Sequence, residues 1–110
     1  MQVIINAVPH NVSNKTETFV YTVQQCLEKA SIDGYLVVMK TLPFLSRVDS
    51  VDYGNFRKKE PVIVKRETIY IGKYSKSTEK IKQITESCRV LQIEPKTIVW
   101  RNDDSILFEY

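Results

Sequence analysis

The sequence has few of the residues that build loops, cross-links or catalytic centres: among 110 residues there are three glycines, four prolines, two cysteines and one histidine. So little glycine and proline is not typical of a low-complexity or disordered chain. No glycine-rich phosphate-binding motif occurs. With 43% hydrophobic and 26% charged residues, the composition is that of a folded protein. We expect one domain over residues 1–110.

The scarcity of histidine and cysteine limits the chemistry that the chain can perform. Any Ser-His-Asp or Cys-His centre would have to use His10, and no nucleophile motif surrounds any of the serines. Cys26 and Cys88 lack the spacing of a zinc site, and each falls on the apolar face of a predicted helix. We therefore expect two reduced core cysteines, an exposed loop histidine, no metal, no cofactor and no enzymatic activity.

One pair of carboxylates offers a minor alternative. Asp49 and Asp52 lie in one loop, where two acidic side chains are able to hold Mg²⁺ beside a phosphodiester, as in a small metal-dependent nuclease. The sequence identifies no further ligands for such a metal. Solvation of the loop is the simpler interpretation of this pair.

Long hydrophobic runs are also missing. The longest spans residues 35–39, whereas a membrane-spanning helix needs about 20 apolar residues. The amino end runs directly into a short β-branched segment, with no basic region and no small-residue cleavage site. We expect a cytoplasmic protein with no membrane association.

Charge is the feature that the chain does have, and it is unevenly distributed. The net charge is +3, but residues 57–89 contain ten basic and four acidic residues, a local charge of +6. The segments before and after this stretch are slightly acidic. The positive charge is therefore concentrated in the middle of the chain.

Two segments have the periodicity of helices. Asn14 followed by Glu17 predicts a capping box. The helix that follows is expected to end near residues 33–34. Its apolar face consists of Phe19, Val23, Cys26, Leu27 and Ala30. A second helix is predicted after Ser75 or Ser77 and ends before Pro95. Its predicted apolar face consists of Ile81, Ile84, Cys88 and Leu91, with Lys76 and Lys80 on the exposed side.

Short β-branched or alternating segments predict the strands. They span residues 2–7, 35–39, 61–64, 68–71, 97–101 and 105–109, with turns at residues 65–67 and 102–104. The alternative to the two strands at 61–64 and 68–71 is one long bent strand. Residues 40–60 are too apolar for a free loop, and we expect a short helical turn or an irregular strand near residues 46–53.

This order predicts an α+β fold with a four- to six-stranded, mainly antiparallel sheet and two helices on one face. A ferredoxin-like split βαβ arrangement fits the order of elements. The alternative is a β-grasp arrangement, in which residues 2–12 form an N-terminal hairpin and the first helix lies across the sheet.

The basic stretch, together with nearby aromatic residues, favours a non-catalytic protein that contacts a nucleic-acid phosphate backbone. Lysine and arginine would neutralise phosphates, and tyrosine rings would offer stacking platforms for unpaired bases. The candidate residues are Arg57, Lys58, Lys59, Lys65, Arg66, Tyr70, Lys73, Tyr74, Lys76 and Lys80. The competing interpretation is that these lysines protect exposed strand edges and solubilise a helix.

The alternative hypothesis is a protein–protein interaction module, such as an inhibitor or accessory factor of the kind that viruses and mobile elements use. Its exposed apolar segment would contain Leu42, Phe44, Leu45, Tyr53 and Phe56. The simpler interpretation is that this segment covers one end of the core. A homodimer would form if the C-terminal strand, residues 106–110, were an edge strand that pairs with its twin.

Overall fold

The computed structural model describes residues 2–30, 42, 44–46, 59–73, 77–91, 97–100 and 105–109. Their elements, in chain order, are β1 (Gln2–Ile5), β2 (Val8–Asn11), α1 (Lys15–Lys29), β3 (Leu45–Ser46), β4 (Lys59–Val64), β5 (Glu67–Gly72), α2 (Ser77–Val90), β6 (Thr97–Trp100) and β7 (Ile106–Glu109). The α+β class and the two helices are confirmed. The predicted strand at residues 35–39 and the predicted turn at residues 102–104 lie outside the described residues.

The described strands form two sheets instead of the single sheet expected. One has four strands in the order β2-β1-β7-β6, and the other has three in the order β3-β5-β4. The β1–β7 pair is parallel, and every other pair is antiparallel. The ferredoxin-like order is not confirmed, because residues 2–11 form a hairpin instead of one strand, and β7 pairs with the inner side of that hairpin.

Two tight hairpins are built in the same way. Asn6 and Ala7 connect β1 to β2, while Lys65 and Arg66 connect β4 to β5. All four residues have positive φ angles between 47° and 69°. Positive φ at both central residues is the pattern of the two-residue type I′ turn, which matches the twist of the flanking strands. The second hairpin confirms the predicted pair of strands, although its turn is one residue shorter than expected.

Helix α1 follows the predicted pattern closely. The side chain of Asn14 accepts a hydrogen bond of 2.9 Å from the backbone N–H of Glu17. The carboxylate of Glu17 accepts a bond of 2.7 Å from the backbone N–H of Ser13, one residue before the N-cap, so Asn14 and Glu17 cap the helix start in a variant of the predicted capping box. The helix ends at Lys29, where Ala30 takes an extended conformation, and not at the expected stop near residue 33.

Helix α2 is rotated relative to its predicted orientation. Ile81, expected in the core, is 37% exposed, whereas Lys80, expected on the solvent side, is only 4% exposed. Ile84 and Cys88 are buried as predicted. The long aliphatic stem of a lysine can be buried while its charged end finds polar contacts, and this allows Lys80 to occupy a position normally held by an apolar residue.

One hydrophobic cluster joins both sheets and both helices. Its fully buried side chains include Val3 and Phe108 of the four-stranded sheet, Ile69 of the three-stranded sheet and Phe19 of α1. Phe44 joins this cluster, and its ring lies 5.9 Å from that of Phe19. The core therefore lies between the two sheets and the helices.

The C-terminal strand does not lie at an edge of its sheet. β7 pairs with β1 on one side and with β6 on the other. Both of its hydrogen-bonding sides are therefore occupied, and it cannot pair with a second copy of the chain. The condition for a homodimer through this strand, an edge position in the sheet, is therefore not met.

Candidate nucleic-acid interface

The structure describes six of the ten residues predicted to contact nucleic acid. These are Lys59, Lys65, Arg66, Tyr70, Lys73 and Lys80. The other four, Arg57, Lys58, Tyr74 and Lys76, lie outside the described residues. Five of the six described residues belong to the β4–β5 hairpin or follow it directly, so this hairpin is the centre of the candidate interface.

The hairpin separates its basic residues into two groups. Lys65 and Arg66 form the turn, while Lys59 and Lys73 lie at the opposite end. A strand of six residues spans roughly 20 Å, which is the distance between these groups along the hairpin. Among the described residues of the hairpin, the positive charge therefore flanks the strands and does not form one compact patch.

Both turn residues occupy the left-handed backbone region, but their surroundings differ. Lys65 is anchored to the end of α1: its backbone N–H donates to Glu28 Oε1 at 3.3 Å, and its ammonium donates to the Glu28 carbonyl oxygen at 3.1 Å. A lysine at this position also complements the partial negative charge of the helix C-terminus. Arg66 is exposed. The anchor fixes the turn and leaves the Arg66 guanidinium facing solvent.

The two faces of the three-stranded sheet have opposite character. Partner residues in the β4–β5 register share a face. Val64, Ile69 and Ile71 on one face are fully buried. On the other face Ile63 is 68% exposed, Pro61 and Thr68 are exposed, and Lys59 and Tyr70 are half-buried. The outer face is thus a solvent-facing surface with one aromatic ring at its centre.

Lys59 and Tyr70 meet on this outer face. The Lys59 ammonium lies 5.9 Å from the centre of the Tyr70 ring, within the range of a cation–π contact. They are diagonal neighbours in the register, because Lys59 pairs with Gly72 and Tyr70 pairs with Pro61. An aromatic ring and a lysine on one solvent-facing surface are the two groups that bind a base and the phosphate next to it.

Lys73 contributes less positive charge than the sequence predicts. Its ammonium forms an ion pair of 2.9 Å with the carboxylate of Glu60, and both side chains are partly exposed. This pair joins the start of β4 to the end of β5. A partly exposed pair of this kind contributes little to stability, and its charges largely cancel.

Lys80 is not on the candidate interface. It is buried, its ammonium donates to the Lys73 carbonyl oxygen at 3.1 Å, and it lies 5.6 Å from the centre of the Phe19 ring. Burial lowers the pKa of Lys80; the Lys15 ammonium adds to this, and Glu79 opposes it. The predicted phosphate contact at Lys80 is therefore wrong, because the side chain is part of the packed interior.

A groove of about 1080 Å³ lies beside α1, between β2 and β4. Its lysine and glutamate lining is balanced, with three residues of each kind: Lys15, Lys73, Lys80, Glu17, Glu60 and Glu79. This balance does not favour a phosphate backbone, which binds where positive charge is in excess. The groove is thus less suited to nucleic acid than the outer face of the hairpin.

One wall of the groove is aromatic. The His10 and Tyr21 rings stack in parallel, with centroids 3.9 Å apart and an angle of 3° between the planes. His10 is exposed as expected, but it belongs to β2 and not to a loop. The stack connects the edge strand of the four-stranded sheet to α1. Periodicity gave no signal for this contact, because His10 and Tyr21 lie on different elements.

The apolar segment proposed for protein binding is a core segment where it is described. Leu42, Phe44 and Leu45 are between 1% and 5% exposed, and all three belong to the main hydrophobic cluster. Leu45 also pairs with Ile71 in the three-stranded sheet. These side chains are therefore unavailable to a partner. The other two candidates, Tyr53 and Phe56, lie outside the described residues.

A different apolar surface crosses the four-stranded sheet on its outer face. It was not predicted, because its residues come from four strands that the sequence does not place side by side. Pro9, Ile4, Leu107 and Val99 are consecutive partners across β2, β1, β7 and β6. Val99 is 44% exposed, Pro9 is exposed, and Ile4 and Leu107 are half-buried. We refer to these four residues as the outer stripe.

The carboxylate hypothesis concerns residues that the structure does not describe. Asp49 and Asp52 lie outside the described residues, so the metal-dependent nuclease stays a prediction. Within the described ranges, no three histidine, cysteine, aspartate or glutamate side chains converge as metal ligands.

Neither of the two described helices is long and apolar enough to cross a membrane. In comparisons with known proteins, no family model, no curated protein and no solved structure matches this chain.

Proposed function

We propose that this chain is a non-catalytic binding protein that holds single-stranded nucleic acid on the outer face of its three-stranded sheet. The observation that carries the proposal is the placement of Tyr70 and Lys59 together on a solvent-facing sheet surface. A base stacks on the tyrosine ring, and the lysine ammonium is close enough to contact the adjoining phosphate.

The turn of the β4–β5 hairpin supplies the second contact. Arg66 is exposed at its tip, about 20 Å along the hairpin from Lys59. Both Lys65 and Arg66 have positive φ, where asparagine and glycine are favoured and a long side chain is disfavoured by about 1 kcal/mol or more. Two basic residues at these positions support a role for their charge, since strained residues are frequent at binding sites.

The affinity that follows from this surface is modest. Lys80 is buried and the charge of Lys73 is offset by Glu60, so we count Lys59, Lys65 and Arg66 as the phosphate contacts of this surface. Lys65 keeps its positive charge while its ammonium donates to the Glu28 carbonyl oxygen. Three such contacts correspond to a slope of about −2 for log K against log salt on a single strand. Contacts to the backbone and stacking on one ring give little sequence preference.

The test is fluorescence anisotropy with a labelled single-stranded oligonucleotide at about 50 and 200 mM salt. We expect saturable binding that weakens with salt. Lys59→Gln should lower the affinity and reduce the salt slope by about 0.7. Lys82→Gln on the exposed side of α2 removes the same charge away from the surface and is the matched control. No binding at the lower salt concentration would contradict the proposal.

The outer stripe favours a second candidate function, which is protein binding. Its four residues form a continuous row on a face that points away from the core. Apolar side chains in a row on an exposed sheet face are typical of an interaction surface. Replacing Val99 with a lysine should abolish capture of such a protein partner and leave oligonucleotide binding unchanged.

For the fold itself, we infer that the four-stranded sheet and α1 form a β-grasp arrangement. The support is the N-terminal hairpin, the helix that follows it, and a C-terminal strand that runs parallel to β1 in the centre of the sheet. An experimental structure that keeps the strand order β2-β1-β7-β6, with no strand from residues 31–41 inserted into it, would support this assignment.

A further inference from the structure

Lys80 differs from the two thiols of the chain because it is a buried nucleophile that lines the groove beside α1. Cys26 and Cys88 are free thiols in the core, 2% and 1% exposed, so the expectation of two reduced core cysteines is confirmed. Neither cysteine is among the residues that line the groove, whereas Lys80, which is 4% exposed, is one of them. The groove is therefore the side from which a small molecule reaches this buried amine.

Three elements hold the end of the Lys80 side chain. Lys80 lies in the first turn of α2, and its ammonium donates at 3.1 Å to the carbonyl oxygen of Lys73, which directly follows β5. The ammonium also lies 5.6 Å from the centre of the Phe19 ring of α1. Lys73 lines the same groove. Because these contacts hold the amine in place, it loses little conformational freedom when it forms a bond with a molecule in the groove.

The surroundings of Lys80 also favour the form of the side chain that reacts. A lysine is a nucleophile only when its amine is neutral, and desolvation is one way in which proteins increase the neutral fraction. Burial lowers the pKa of Lys80, although Glu79 opposes this effect and Lys15 adds to it. The Lys73 carbonyl oxygen accepts an N–H and does not occupy the lone pair of the neutral amine.

The lining of the groove indicates which carbonyl compound fits beside this amine. Its lysines and glutamates are present in equal number, so it has no excess of positive charge to attract a carboxylate or a phosphate. Val12, Val20 and Val62 add apolar surface to the same lining. A volume of about 1080 Å³ is ample for a small molecule. An uncharged carbonyl compound is therefore the best match.

We propose that Lys80 is a covalent binding site for a small uncharged aldehyde, which it holds in the groove as an imine. In the first step the neutral amine nitrogen attacks the carbonyl carbon, and the C–N bond forms. The π electrons of the C=O bond move to the oxygen, which takes up a proton released by the nitrogen. The product of this step is a carbinolamine.

In the second step the lone pair of the nitrogen forms the C=N bond while the C–O bond breaks. The leaving hydroxide takes up the remaining proton of the nitrogen as water. Overall, one amine and one aldehyde give one imine and one water, so neither an oxidant nor a reductant is consumed. Water reverses the reaction, and a hydride donor converts the imine into a stable secondary amine.

The test is reductive labelling of the folded protein with a limiting amount of propanal and sodium cyanoborohydride at neutral pH, followed by intact mass spectrometry and peptide mapping. We expect the first adduct, a gain of C₃H₆, on Lys80. Lys82 on the exposed side of α2 is the internal reference and should be labelled more slowly. The preference for Lys80 should disappear in urea, because unfolding removes the burial that distinguishes the two amines.

Two variants separate this site from general lysine chemistry. Lys80→Met keeps an aliphatic side chain and removes the amine, so the first adduct should be lost. Lys82→Met should keep it, and thermal unfolding checks that both variants are folded. The peptide map of the wild type gives its answer even if Lys80→Met does not fold. Equal labelling of Lys80 and Lys82, adducts on exposed lysines alone, or no adduct in the wild type would each overturn the proposal.

Discussion

The two hairpins of this protein share one design and differ in what surrounds them. β1–β2 and β4–β5 both use a two-residue turn with positive φ at each central residue. The first turn is Asn6-Ala7, and the backbone N–H of Asn6 continues the sheet by donating to the Phe108 carbonyl oxygen at 2.9 Å. The second turn is Lys65-Arg66, which is anchored to a helix by side-chain contacts.

The edge strand of each hairpin also contains a proline, and both prolines lie in residue pairs that exchange no backbone hydrogen bonds. In a two-residue hairpin the residue pair next to the turn is hydrogen-bonded. Non-hydrogen-bonded and hydrogen-bonded pairs then alternate along the two strands. Pro9 and Pro61 therefore fall at positions whose backbone nitrogen points away from the partner strand. A proline at such an edge position costs no ladder bond and prevents pairing with another chain.

The difference between the hairpins lies in the surface that each one presents. The first hairpin pairs with β7 through β1 and contributes Pro9 and Ile4 to the outer stripe. The second presents Lys59, Tyr70 and Arg66 on its outer face and tip. This contrast indicates that turn geometry serves the fold in both hairpins, whereas the side chains on the outer face determine which hairpin suits an anionic partner.

The largest expected effect concerns the two faces of the second hairpin. Ile69→Ala removes a fully buried side chain and should lower the free energy of unfolding by about 3 kcal/mol. Ile63→Ala, on the 68% exposed side, should change it by less than about 0.5 kcal/mol. Urea denaturation measures both. Equal losses would mean that the outer face is covered and not open to a ligand.

The next effect concerns binding. Tyr70→Thr keeps a strand-forming residue but removes the ring, so the affinity for a single-stranded oligonucleotide should fall by about 1–3 kcal/mol. Tyr21→Leu removes a ring from the groove beside the first hairpin and is the matched control, because Tyr21 stacks on His10 of β2 and does not lie on the outer face of the second sheet. Anisotropy titrations compare the two. A loss confined to Tyr21→Leu would move the site to the groove.

A smaller effect distinguishes the two turns. Ala7→Gly and Arg66→Gly each remove a side chain from the left-handed region, so each should stabilise the fold by about 1 kcal/mol. Only Arg66→Gly should also weaken oligonucleotide binding. Thermal unfolding and anisotropy on the same samples measure both properties. If Arg66→Gly left binding unaltered, the tip would have no part in the interface.

The smallest effect concerns the buried lysine behind the second hairpin. Because burial lowers the pKa of Lys80, the folded protein binds fewer protons than the unfolded chain between the lowered pKa and the ordinary value of about 10.4. In that window stability rises with pH. The stability of the wild type relative to Lys80→Met should therefore increase as the pH is raised towards 10.4, as measured by urea denaturation.

The exposed Lys82→Met variant is the control for this pH dependence, since it removes the same charge from the opposite side of α2. The trend should be absent from the comparison of the wild type with Lys82→Met. The same trend in both variants would instead mean that the overall charge of the protein, and not the burial of Lys80, determines the pH dependence.

Local sequence patterns predicted most helices and strands, but they did not predict which distant strands pair with each other. Helix α1 followed from its capping residues and one apolar face, because both are properties of neighbouring residues. The rotation of α2 about its axis did not follow from the sequence, because Lys80 occupies a buried position through its aliphatic stem. The pairing of Val3 with Ile106 joins the two ends of the chain, and no periodicity encodes which strands become neighbours.

The candidate site was predicted in composition but not in shape. The basic segment was correctly identified as a hairpin, yet the ion pair of Lys73 and the burial of Lys80 depend on packing against other elements. The contact of Lys59 with Tyr70 follows from the register of β4 and β5, which a two-residue turn at Lys65-Arg66 fixes. The longer turn predicted at residues 65–67 pairs different side chains across the two strands.

The most direct test of the binding surface is a ¹⁵N–¹H NMR titration of the folded protein with a short single-stranded oligonucleotide. We expect the largest chemical-shift changes on the outer face and tip of the second hairpin, at Lys59, Tyr70 and Arg66. The first hairpin and the residues of the groove should change little. Shift changes centred on the groove or on the outer stripe, or no changes at saturating oligonucleotide, would contradict this expectation.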